Sequence, residues 1–188
     1  MAAFFATSML LALAPGPDNI FVLAQSAVYG RFAGLTVVLG LCTGLVFHTM
    51  AVSLGVAAVF ASSAIAFSVL KSLGAGYLLY LAWRAFRAEA ASMPADSKGT
   101  PSRGKLYLRG IIMNITNPKV TIFFLALLPQ FADSERGPIS VQLLLLGGLF
   151  ILATILVFSG FAFLAGALNT WFSRSPSTQL VLNRLAGI

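Results

Sequence analysis

The stretch Pro15-Gly16-Pro17-Asp18-Asn19 interrupts a run that carries no other charged side chain from Met1 to Gly30. Residues 1–14 and 19–30 are each too short to cross a bilayer, which takes about 20 mainly apolar residues. Together, from about residue 3 to residue 29, they make one span with a break inside it. Pro15, Gly16 and Pro17 free backbone carbonyls upstream, and Pro17 suits the first position of a new helix. Ala12-Leu13-Ala14 has the shape of a signal-peptide cleavage site, but no basic residue precedes it and a proline follows at once. The run therefore reads as a span. Asn114-Ile115-Thr116-Asn117-Pro118-Lys119 breaks a second apolar run, 110–132, in the same way.

The composition fixes the solvent. Of 188 residues, 59% are hydrophobic and only 9% are charged, against roughly 25% charged in a soluble domain. A folded chain of this size leaves about 30% of its unfolded surface exposed. Twelve basic and 5 acidic side chains cannot cover that surface in water, so lipid must be the solvent over much of it. A soluble enzyme, a disordered chain and a secreted disulfide scaffold are excluded. Cys42 is the single cysteine, so there is neither an internal disulfide nor a cysteine metal cluster. One histidine and five acids leave no basis for a metal site, and no cofactor is implied.

Working outward, Phe32 to Leu70 contains no Lys, Arg, Asp or Glu. That run is too long for one crossing and must turn back, with Ala61-Ser62-Ser63 as the turn. The second span is then about 35–60 and the third about 64–83. A polar linker follows at 84–108, and Asp133–Pro138 is a short polar turn before a fifth span at about 139–165. Leu180–Ile188 opens another apolar stretch too short to cross, which predicts a sixth span that is truncated. The expected fold class is an all-α polytopic membrane protein.

The net charge is +7, and the basic residues sit where a membrane protein holds them rather than in a nucleic-acid patch. Arg84, Arg87, Lys98, Arg103, Lys105 and Arg109 crowd into or beside the linker, and Arg31 and Arg174 fall on the same side. Across the membrane only Arg136 lies near a span end. This bias puts the linker in the cytoplasm and the N-terminus outside.

The two halves also echo each other. Pro17-Asp18-Asn19-Ile20-Phe21-Val22-Leu23-Ala24 aligns with Pro118-Lys119-Val120-Thr121-Ile122-Phe123-Phe124-Leu125-Ala126, with one residue inserted in the second copy. Three spans per copy is an odd number, so the second copy enters from the opposite face. The plan is an inverted repeat, residues 1–83 and 109–188 joined by the linker, with its first and fourth spans broken. Ionisable groups at membrane depth are functional candidates by default. They are Asp18, Lys71, Lys119 and His48, with Asn19, Asn114 and Asn117 beside the breaks. The bland readings are lysines that snorkel to an interface, a packed neutral histidine, and glycines 34, 40, 44 and 55 that serve close helix approach.

These residues carry a family resemblance. Pro15-Gly16-Pro17-Asp18-Asn19, then Lys71-Ser72-Leu73-Gly74-Ala75-Gly76-Tyr77-Leu78-Leu79-Tyr80-Leu81, Asn114-Ile115-Thr116-Asn117-Pro118-Lys119 and Leu128-Pro129-Gln130-Phe131 occur in that order. The chain resembles the LysE/RhtB family of amino-acid exporters along nearly its whole length. The resemblance implies six spans in the inner membrane and export of amino acids driven by the proton gradient.

The residues suggest how such a carrier works. An amino acid offers an ammonium group to Asp18 and a carboxylate to Lys119 or nearby helix amides. Asp18 is also the acid placed to carry the coupling proton. The repeat puts Asp18 opposite Lys119, so the two are expected to pair in the empty carrier. With Asp18 the only intramembrane acid, a neutral or weakly polar substrate fits better than a cationic one. The alternative readings are an intramembrane enzyme and a structural membrane subunit. The enzyme would need a metal cage, a nucleophile with its base, or paired acids, which one histidine, one cysteine and one intramembrane acid supply poorly. The subunit would not need paired breaks of opposite charge. The expected partners are substrate, protons, lipid and a second copy in a homodimer.

Overall fold

The computed structural model describes residues 1–62 and 101–174, with single positions between 65 and 83. Lys71, about half of the expected third span, the expected sixth span, and the linker up to residue 100 lie outside the described residues.

Every regular element among the described residues is helical. They are α1 (Ala2–Leu13), α2 (Pro17–Tyr29), α3 (Arg31–Ser62), α4 (Arg103–Ile115), α5 (Pro118–Ile122) and α6 (Ile139–Arg174). A π-helical turn (Phe123–Leu127) and a 3₁₀ turn (Leu128–Phe131) continue α5, and a second 3₁₀ turn, Ser134–Arg136, precedes α6. Arg31–Gly55 and Ile139–Ala167 are long and apolar enough to cross a membrane. The pairs Ala2–Leu13 with Pro17–Tyr29, bent by 60°, and Arg103–Ile115 with Pro118–Phe131, bent by 49°, raise the count to four if each is one span. The protein is an all-α polytopic membrane protein with breaks at both proline motifs.

One boundary differs from the sequence reading. Arg103–Leu108, read as linker, are the first turns of α4, and Ser102 caps them by accepting a hydrogen bond from the Lys105 amide at 3.4 Å. Their charge hid a helix that starts below the apolar run. The residue inserted in the second copy lies just before the π-helical turn. A π-turn is how a helix absorbs one extra residue without losing its direction.

The described helices bury two apolar cores. The first gathers Phe4, Leu45, Val52, Val120, Phe123, Phe124, Leu128, Leu143, Leu146 and Phe150. The second gathers Ala12, Val22, Val37, Val38, Leu41, Cys42, Leu106, Val157, Phe158 and Ala162. The α1–α2 pair runs from the first core at Phe4 to the second at Val22, whereas the α4–α5 pair runs from the second at Leu106 to the first at Val120. The helices α3 and α6 likewise traverse the two cores in opposite directions.

Packing is closest where glycines face each other. A β-carbon on Gly40 would lie 3.1 Å from the Gly110 α-carbon, so α3 and α4 cross backbone to backbone. Gly34 gives way to Ser26 and Gly44 to the Asn114 side chain, whereas no atom of the described residues lies within 4 Å of a β-carbon on Gly55. Among the described residues, three of the four glycines assigned to helix approach do that work.

Candidate functional site

Between the two cores lies a polar layer built by the two breaks. Asp18, Asn19, Asn114 and Asn117 are all buried, each 5% exposed or less. Such groups are expensive in an apolar setting unless they are hydrogen-bonded. Their partners define the site.

The last carbonyls of a helix have no partner within it and carry the negative end of its dipole. At the end of α1 they are met by two side chains from beyond the break. The Lys119 Nζ donates to the Leu11 carbonyl at 2.9 Å and to the Ala14 carbonyl at 2.8 Å. The Asn19 Nδ2 donates to the Ala12 carbonyl at 2.7 Å. Gly16 keeps the connecting backbone extended, at φ −170° and ψ 173°, and a β-carbon there would touch the Lys119 Nζ at 3.6 Å. Pro17 and Pro118 each open the helix that follows, and Asn117 caps its own by accepting from the Lys119 amide at 3.0 Å.

Asp18 stands one residue inside α2, where the helix dipole favours an anion. Its Oδ2 accepts from the Asn114 Nδ2 at 3.2 Å, which ties the two breaks together. The Asp18 Oδ1 and the Asn114 Oδ1 are buried with no hydrogen-bond partner among the described residues. The Asn114 carbonyl lies 3.3 Å from the Nε2 of His48, whose half-buried ring sits 5.5 Å from that of Phe124.

Asp18 and Lys119 both line one cavity of about 30 Å³, room for about one water. They do not pair directly as expected. The one ion pair among the described residues joins Arg136 to Asp133 at 3.0 Å on the surface. Lys119 serves the broken end of α1 instead, because two part-buried carbonyls there would otherwise go unsatisfied.

The sequence-predicted Asp18, Asn19, Asn114, Asn117 and Lys119 thus meet at one place, with Pro15, Gly16, Pro17 and Pro118 shaping the backbone around them and His48 at the edge. The opposite wall went unpredicted. It is Phe150, Thr154 and Phe158 of α6, from a charge-free run with no proline or polar cluster to mark it. The helical spacing of Thr154 between two aromatics is the one local signal that a pattern search would catch.

Comparison with known proteins places the chain in a transporter family. Residues 9–188 match the family model of the LysE type translocators. A homoserine/homoserine lactone efflux protein of Salmonella typhi is 37% identical over 185 residues, 98% of this chain and 89% of that protein. Its counterpart in Salmonella typhimurium is 36% identical over the same shares. An uncharacterized membrane protein of Vibrio cholerae is 32% identical, again over 98% of this chain and 89% of its own. No solved structure matches.

Proposed function

The chain belongs to the LysE type translocator family, and on that premise we propose that it exports neutral or weakly polar amino acids across the inner membrane, driven by the proton gradient. The observation that carries this reading is the shared cavity of Asp18 and Lys119 between two helix breaks. The homoserine efflux relatives lend it their direction of transport and the class of their substrate.

The substrate ammonium takes the free Oδ1 of Asp18. An ammonium has three N–H donors, and Lys119 spends two on carbonyls, which leaves one for the substrate carboxylate. Asp18 is the only acid on the cavity among the described residues, so one cationic group is neutralised and a second would be left buried and unpaired. That is the basis for a neutral amino acid. A proton arriving on Asp18 removes the negative charge that holds the ammonium, which links proton entry to substrate release.

A cavity of about 30 Å³ is far smaller than an amino acid, so binding requires the two halves to part. An inverted repeat of three spans plus three supplies that motion by rocking one half against the other. The opposite directions of the two broken spans, and of α3 and α6, support this plan. The basic linker faces the cytoplasm and the N-terminus lies outside. His48 borders the site through the Asn114 carbonyl, and Lys71 stays a candidate on sequence grounds alone.

Purified protein in sealed vesicles, given an imposed pH gradient and a panel of labelled amino acids, tests the proposal. Accumulation that collapses with a protonophore is the expected result, and Asp18→Asn should lose the pH dependence while remaining in the membrane. Normal gradient-driven transport by Asp18→Asn would refute the coupling role.

A further inference from the structure

The cavity that Asp18 and Lys119 line is also walled by a stripe of α6: Phe150, Thr154 and Phe158, spaced one turn apart. All three are buried, and none is charged. If the substrate's ammonium and carboxylate are held by the broken helices, this stripe faces what remains of it, the side chain. Thr154 bears the only hydroxyl on the cavity among the described residues.

A buried helical threonine is ordinarily a packing residue. Its hydroxyl donates back to the preceding turn and its small body lets another helix come close. Other hydroxyls of this protein do that: Thr49 fills the space beside Gly147, and Ser26 fills the space beside Gly34. Thr154 differs. It is not among the three nearest neighbours of any described glycine, and it borders the cavity. The hydroxyl hydrogen is used by the Phe150 carbonyl at 2.9 Å, so what it can offer a ligand is an acceptor lone pair.

We propose that Thr154 selects the substrate's side chain, its Oγ1 accepting a hydrogen bond from a hydroxyl held between Phe150 and Phe158. This rests on the amino-acid export reading and assigns to one residue the selection of short, uncharged side chains ending in a hydroxyl, the class to which the homoserine of the efflux relatives belongs. Two aromatic flanks favour a compact aliphatic stem and disfavour charge, and the one acceptor between them rewards a donor at its tip. A site that hydrogen-bonds a ligand's hydroxyl discriminates against the analogue that lacks it.

Homoserine and norvaline make the test. They differ only in a terminal hydroxyl against a methyl group. Transport of each is measured in vesicles holding wild-type protein, Thr154→Val or Thr154→Ser. Valine keeps the shape of threonine and removes the oxygen, whereas serine keeps the oxygen and removes a methyl.

The wild type should favour homoserine by about tenfold. Thr154→Val should bring the ratio close to one by losing homoserine transport while norvaline transport persists, which also reports a folded carrier. Thr154→Ser should keep the preference. An unchanged ratio in Thr154→Val, no wild-type preference, or equal loss of both substrates in Thr154→Val overturns the inference while leaving amino-acid export standing. A wild type that moves no amino acid overturns the export reading and this inference with it.

Discussion

Lys119 holds the broken end of α1, and replacing it with methionine tests that assignment. The side chain keeps its length and most of its volume but loses the two bonds to the Leu11 and Ala14 carbonyls, 2.9 and 2.8 Å long. Hydrogen bonds to a charged group are worth about 1.5–3 kcal/mol each, so the gross loss is about 3–6 kcal/mol. Part of this returns, because methionine no longer requires an ammonium to be desolvated. A net destabilisation of about 2–4 kcal/mol follows from these two opposing effects. For a chain of this length that lowers the unfolding midpoint by roughly 5–15 °C.

Cys42 supplies the assay. It is the single cysteine of the chain and is buried in the second core, so a thiol-reactive fluorophore reports unfolding in detergent as the temperature rises. Lys119→Arg should lie closer to wild type than Lys119→Met, since a guanidinium still donates to carbonyls. Unfolding of Lys119→Met within about 1 °C of wild type would refute the reasoning, because by the same scaling the two bonds would then contribute well under 1 kcal/mol.

Gly40→Ala should destabilise by about 1–3 kcal/mol, since its new methyl meets the α4 backbone at Tyr107 and Gly110; Gly148→Ala, with nothing among the described residues within 4 Å, should leave the same Cys42 melt unchanged or slightly raised. Gly44→Ala would set a methyl 2.7 Å from the Asn114 Cβ and Oδ1, so it should displace Asn114 from Asp18 and cut transport about tenfold or more, measured as vesicle uptake at matched protein. Asn114→Asp keeps the size but replaces the donor that faces the Asp18 Oδ2 with a second carboxyl, and like charges so placed oppose each other; the alkaline limb of the transport–pH profile should move, and an unmoved profile refutes the contact. Single cysteines at Ser97 and Ser102 in a Cys42→Ala background should resist impermeant thiol reagents added to whole cells, and rapid labelling from outside would overturn the orientation.

The two breaks were legible because proline and glycine act locally: Pro17 and Pro118 open helices where the spacing places them, whatever packs nearby. The start of α4 was less legible. Charge in Arg103–Leu108 resembles a loop, yet the stretch is helical because Ser102 caps it and Leu106 reaches the second core. The expected Asp18–Lys119 pair was a long-range guess from symmetry. Helix ends decided otherwise, since freed carbonyls compete with a carboxylate for the same ammonium, and sequence alignment cannot weigh one against the other.

The sequence by itself determined the solvent, the helical class, the positions of both breaks and the identity of the polar groups at them. Each of these follows from composition or from short-range backbone chemistry. Only the tertiary structure decided that Asn114 bridges to Asp18, that Lys119 and Asn19 close the end of α1, and that Phe150, Thr154 and Phe158 face them. Those contacts join residues far apart in the chain. Which side chain satisfies which buried group depends on where whole helices cross, and the crossings are set by glycine contacts and core volumes that no single stretch of sequence contains.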